Sequence, residues 1–129
     1  MKLQSYKELI VRQKGIELVQ LVYQATADYP QTEIYGLTNQ TRRSAVSIPS
    51  NIAEGSTRQH VAEYLQFLNV ALGSAAELET QVLIAEKLSF LDTRRSMRIF
   101  NLNTEIMKML YTLLRRLRGQ PEMAIETNT

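Results

Sequence analysis

The sequence predicts an all-α protein, an antiparallel up-down-up-down four-helix bundle. Three observations carry this. Residues 64–85 and 99–113 repeat apolar side chains at alternating steps of three and four, which lines one face of a helix. Helix-breaking residues fall between the periodic stretches, at Tyr29-Pro30, Gly36, Gly55-Ser56-Thr57 and Gly119 with Pro121, leaving room for only short connections, so sequential helices run antiparallel. No turn-bounded alternation and no Asn-Gly or Asp-Gly pair signals a hairpin.

Bulk properties fit one domain. A chain of 129 residues can bury a core without staples. It has no cysteine, which excludes a disulfide framework, a thiolate nucleophile and a cysteine metal site, and fits a reducing cytoplasm. The first twenty residues lack the basic start, apolar run and cleavage site of a signal peptide. No apolar run approaches the length of a membrane span. The bundle is expected over residues 1–118, with a frayed polar tail over 119–129.

In helix 1, Ser5-x-x-Glu8 reads as a capping box. Leu9, Ile16, Val19 and Tyr23 mark its apolar stripe, with Leu18, Val22 and Ala25 beside it. Tyr29-Pro30 ends it, because the residue before proline is pushed out of the α region. In helix 2, Leu37, Thr41, Ala45, Ile48 and Ile52 share a face with Pro49 among them. A proline inside a helix costs about 3 kcal/mol, so this helix is expected to be bent, with packing offsetting the loss. Gly55 is expected to end it. Helix 3 is expected from about Arg58 to Leu88, with Tyr64, Leu68, Ala71, Ala75, Leu78, Val82 and Ala85 as its seam. Gly73 interrupts that helix, and close helix contact is the expected reason. Asp92 is a plausible N-cap for helix 4. That helix is expected from Thr93 to Arg118 with Ile99, Leu102, Ile106, Met109 and Leu113 inward. Gly119 and Pro121 fit a C′ glycine followed by proline.

One run resembles a known family. Tyr35-Gly36-Leu37-Thr38, Gln40, Arg42-Arg43 and the segment from Ala45 through Ser47-Ile48-Pro49-Ser50-Asn51-Ile52-Ala53-Glu54-Gly55 resemble the hallmark of the four-helix bundle proteins encoded by intervening sequences in 23S ribosomal RNA genes. Gln13-Lys14, Gly73-Ser74 and Glu77-Leu78-Glu79-Thr80-Gln81 are similar too. The resemblance spans about Tyr6 to Arg118. Arg12 stands where that family usually has tryptophan, Gly15 where it has alanine, and Thr41 where an apolar residue is common. The family includes accessory variability proteins of diversity-generating retroelements. The resemblance therefore implies a homo-oligomer, a pentamer in those members, that binds RNA or DNA and a reverse transcriptase partner.

The residues themselves show no catalytic constellation. His60, the single histidine, and Glu63 are too few for a carboxylate-bridged bundle metal site. Ser47 and Ser50, with Asn51 and Glu54, form a polar cluster without a local base. Toxin-type bundle ribonucleases carry an arginine and a histidine with four to six residues between them, whereas positions 53–55, where that arginine would precede His60, are Ala, Glu and Gly. Side chains of Glu77 and Glu79 diverge on a helix, facing solvent or a partner subunit. No cofactor and no enzymatic activity are expected.

Charge is the remaining lead. Net charge is only +2, but residues 92–118 hold seven basic residues against two acids, or 7 − 2 = +5. At ~100° per residue, Arg94, Arg98, Lys108, Arg115 and Arg116 share one flank, diluted by Glu105. The flank reads either as a solvated basic face or as a phosphate-contacting surface. Arg42-Arg43 reads as a solvated or ion-paired pair or as an interface or polyanion contact, with Arg58 next in line. No aromatic motif for base readout accompanies these cations. The expected function is a non-enzymatic, sequence-nonspecific nucleic-acid-binding accessory module; a protein–protein adaptor is the alternative.

Overall fold

The computed structural model describes residues 5–119. It contains α1 (Ser5–Thr26), a 3-10 turn (Gln31–Glu33), α2 (Leu37–Ser56), α3 (Val61–Lys87) and α4 (Thr93–Leu117). Each helix packs on the next and α4 returns onto α1, closing a four-helix bundle. Every interface is antiparallel. Arg42 and Pro49 of α2 meet Thr26 and Gly15 of α1, in reversed order. Ser47 and Gly55 meet Ser74 and Tyr64. Glu86 and Ala75 of α3 meet Ser96 and Asn103, and Asp28 and Lys14 meet Arg95 and Glu105.

The expected α3 seam is buried without exception, joined by Ser74. In α2, Thr41, Ala45, Ile48 and Ile52 are buried and Leu37 half-buried. In α4, Ile99, Leu102, Ile106 and Leu113 are buried, but Leu110 replaces the half-buried Met109 in the core. Fully burying one such Leu or Ile gains about 1.5–3 kcal/mol.

Helix α1 centres its inward face on the residues expected beside the stripe. Val11, Leu18, Val22 and Ala25 are in the core and Val19 packs half-buried against it, whereas Leu9, Ile16 and Tyr23 of the stripe are exposed. The helix carries apolar residues on both sides, and packing of α2 and α4 selects between them. The Ser5 side chain, half of the expected capping box, lies outside the described residues. Its partner Glu8 is buried and pairs with Arg12 Nε at 3.4 Å.

Two glycines do other work than expected, and a third permits a cap. Gly55 lies inside α2 rather than ending it; a Cβ there would sit 2.8 Å from both Phe67 Cβ and Tyr64 Cδ1. Gly73 is exposed with nothing among the described residues within 4 Å of such a Cβ, so no contact between the described helices accounts for it. At Gly36 the missing side chain lets Glu33 fold back, where its carboxylate accepts from Leu37 N–H at 3.0 Å and caps α2. Helix α3 starts at Val61, not Arg58, with His60 as an extended N-cap residue. Asp92 caps α4 as expected, accepting from Arg95 N–H at 2.8 Å. Helix α3 ends in a Schellman-type turn: Phe90 N–H donates to Ala85 C=O, and Ser89 occupies the left-handed region at φ 64°. Gly119 follows α4 at φ 75°, as expected of a C′ glycine. Pro121 and the tail beyond residue 119 lie outside the described residues.

Pro49 lies within the unbroken α2 and is buried against α1, where a Cβ on Gly15 would stand 3.1 Å from Pro49 Cβ. Three further contacts share that level of the bundle. Ser47 and Ser74 hydroxyls hydrogen-bond at 2.8 Å. Asn103, 1% exposed, donates from Nδ2 to Ala75 C=O at 2.9 Å. Lys14 pairs with Glu105 at 3.0 Å. All four interfaces are thus tied near mid-height, one of them through a buried amide.

Candidate nucleic-acid interface

The first basic surface is the outward side of α4. Asp92 fixes the start of the helix, and the buried stripe directs Arg94, Arg98, Lys108 and Arg116 to solvent. Arg94 and Lys108 are fourteen residues apart, ~21 Å along a helix at 1.5 Å per residue. The diluting acid is matched: Glu105 pairs with Lys14 across the α1 interface. Arg94, Arg98 and Lys108 make no ion pair among the described residues. Arg95 differs, pairing with Asp28 at 2.7 Å and Asp92 at 3.7 Å. The hydrogen bond that Arg95 donates to the Asp28 carboxylate holds its guanidinium charged still more firmly than usual. Arg115 is half-buried, and both it and Arg116 are engaged in contacts within the chain. The C-terminal end of the flank is therefore partly committed to the fold.

The second basic surface lies where α1 ends and α2 begins. An open groove of about 680 Å³ is lined by Tyr23 of α1, Ile34 and Tyr35 of the connection, and Asn39, Arg42, Arg43 and Val46 of α2, with Thr38 and Ser47. Arg42 is half-buried and oriented twice: Nε donates to Thr26 Oγ1 at 2.8 Å, and the guanidinium lies 4.4 Å from the Tyr23 ring centroid. Thr26 is itself buried and donates to Val22 C=O at 2.7 Å, so its hydroxyl is fixed as the acceptor for Arg42. Arg43 is exposed without a partner among the described residues. Tyr35 is 91% exposed. Periodicity singles out neither tyrosine: it puts Tyr23 on the apolar stripe of α1, and Tyr35 precedes a glycine in a connection. The usable signal was the Val11–Leu18–Val22–Ala25 alternative, which leaves Tyr23 outside.

Other candidates separate. Ser47 Oγ is taken up by Ser74 Oγ and by Asn51 Nδ2 at 2.9 Å, while Ser50 is exposed. His60 is exposed and precedes α3, so it shares no helix face with Glu63. Among the described residues no group of three or more potential ligands could hold a metal ion. Glu54 pairs with Arg58 at 2.9 Å, and Arg58 lies 4.7 Å from the Phe67 ring centroid. Glu77 is exposed and Glu79 half-buried. Burial raises the hydroxyl pKa of Tyr29 and of Tyr64 to about 12; the Glu8 carboxylate adds to the shift at Tyr64. Among the described residues no helix is long and apolar enough to cross a membrane.

Fold and surfaces together define a small all-α four-helix bundle protein whose functional candidates are outward basic surfaces. The chain belongs to the 23S rRNA-intervening sequence protein family, whose model matches residues 7–112. Its fold is similar to the crystal structure of a protein of unknown function from the S23 ribosomal protein family of Bacteroides thetaiotaomicron. That likeness has a TM-score of 0.77 at 27% identity, covering 84% of this chain and 98% of the other. No curated protein matches.

Proposed function

We propose that this protein is a non-enzymatic, homo-oligomeric nucleic-acid-binding accessory module that acts in the cytoplasm without sequence preference. The observation that carries this is the α4 face, where Arg94, Arg98 and Lys108 have no ion-pair partner among the described residues while Glu105 is matched by Lys14. Unpaired cations spaced along one helix suit phosphate contacts, which release counterions. The family description, tied to 23S ribosomal RNA, points the same way. Assembly would repeat the face and add weak contacts as avidity. The resemblance to retroelement accessory proteins favours a pentamer and a reverse transcriptase as a protein partner.

The test is binding to duplex DNA and structured RNA across a salt series, with light scattering on the same samples. Binding should weaken steeply with salt. Replacing Arg94, Arg98 and Lys108 together with Gln removes three phosphate partners, so the log–log salt slope should flatten by up to about 2.7 on duplex DNA. Arg115 is spared because it is half-buried. Wild type that binds nothing at low salt rejects nucleic-acid binding and favours the adaptor; a monomer at micromolar concentration rejects the assembly.

A further inference from the structure

The groove at the α1–α2 junction carries a more specific chemistry than the α4 face. Three features coincide there. The first is an arginine held ready. Arg42 has Nε committed to Thr26 and one guanidinium face on Tyr23. Its Nη edge has no carboxylate partner among the described residues. A guanidinium oriented in this way is suited to grip a phosphate with two parallel hydrogen bonds. The second is Arg43, the next residue, exposed and without a partner among the described residues. The third is Tyr35, a residue 91% exposed that lines the same groove.

Acidic groups nearby do not cancel this charge. None lines the groove. Glu33 is bound to Leu37 N–H and Asp28 to Arg95. Glu77 shares an adjoining cleft with Arg43 and Tyr35 but makes no ion pair with Arg43. A bare anion would satisfy the arginines and leave Tyr35 unused. A ligand with a flat aromatic ring a few ångströms from a phosphate uses all three. Bases inside a duplex are stacked on each other and cannot reach an external ring, whereas unpaired bases stack readily on tyrosine.

We propose that this groove is a subsite for an unpaired nucleotide of a single-stranded segment, with the phosphate on Arg42 and Arg43 and the base stacked on Tyr35. The inference rests on the nucleic-acid reading above and deepens it. The α4 face would take duplex and strand alike, and the groove would add preference for unpaired strand.

The test uses the full chain, fluorescence anisotropy, a short labelled oligouridylate and a duplex of mixed sequence. Tyr35→Ala should weaken oligouridylate binding by about 5- to 150-fold, the loss of one stacked base, while duplex affinity stays within about twofold, the change expected where no phosphate contact is lost. Tyr35→Phe should bind the strand like wild type. Arg43→Gln should weaken strand binding and lower its salt slope by about 0.7. Photocrosslinking of wild type to the oligouridylate should map to Tyr35. Undiminished strand binding by Tyr35→Ala, or equal losses on strand and duplex, overturns the groove and leaves the α4 reading standing. Polyglutamate competing as well as oligouridylate, with no dependence on Tyr35, reduces the groove to an anion site and also overturns it. Failure of wild type to bind either nucleic acid rejects both proposals together.

Discussion

Gly55 closes the run that carries the family resemblance, and its role is steric. An added Cβ would sit 2.8 Å from Phe67 Cβ, 2.8 Å from Tyr64 Cδ1 and 3.3 Å from Tyr64 Cε1. Carbon atoms rest at about 3.5–4.0 Å. Tyr64 is 1% exposed and cannot swing into solvent without emptying its core site. The α2–α3 interface must therefore open, and overpacking of this kind costs about 1–3 kcal/mol. Alanine also gains about 1 kcal/mol of helix propensity over glycine, which blurs the comparison with wild type. Gly73→Ala supplies the reference, since Gly73 is helical and exposed with nothing within 4 Å. Both variants gain the propensity; only Gly55→Ala meets the clash. Gly55→Ala should be less stable than Gly73→Ala by about 1–3 kcal/mol. Urea unfolding at one protein concentration should show this as a lower midpoint at unchanged slope. Equal midpoints would refute the steric account of Gly55.

Two further outcomes concern stability. Ser89→Gly should raise it by about 0.5–1 kcal/mol, because Ser89 holds φ 64° while glycine enters that region freely; calorimetric melting measures it, and a lower melting temperature would count against the turn as described. For Tyr29 and Tyr64, whose folded pKa values are raised by burial from 10.0 to about 12, both states keep the proton below pH 10. Between pH 10 and about 12 the unfolded state ionises first, so stability should fall as pH rises, by up to about 3 kcal/mol per tyrosine. Tyr64→Phe should unfold less steeply over that window than wild type, and identical alkaline profiles would remove Tyr64 as a cause.

How much was legible depended on how one-sided each helix is. The α3 seam could be read residue by residue because one face alone carries a continuous three-four repeat. Helix α1 could not, because Leu9–Ile16–Tyr23 and Val11–Leu18–Val22–Ala25 are both plausible stripes and neighbouring helices choose between them. Gly55 and Gly15 looked like a helix stop and a family departure; their steric roles exist only across an interface. The basic α4 side was visible as charge and spacing, but the pairing of Lys14 with Glu105 was not. The groove was least legible. Arg42 reaches Thr26 across sixteen positions of sequence, and no local pattern announces that two tyrosines and two arginines share one surface.

The four ties near mid-height give the bundle a fulcrum. Ser47, Ser74 and Asn103 sit close to the midpoints of their helices, and Gly15 close to that of α1. Sliding α4 against α3 by one turn, ~5.4 Å, would strand the Asn103 amide in the core, at a cost of about 1–3 kcal/mol for a buried polar group left unpaired. Opening either end of the bundle breaks none of these ties. The end that carries the α1–α2 junction has ties of its own, Arg42 to Thr26 between α1 and α2 and Arg95 to Asp28 between α4 and the end of α1. Register is thus held at the waist and again at this end, so the surface that carries Arg42 meets a partner already shaped.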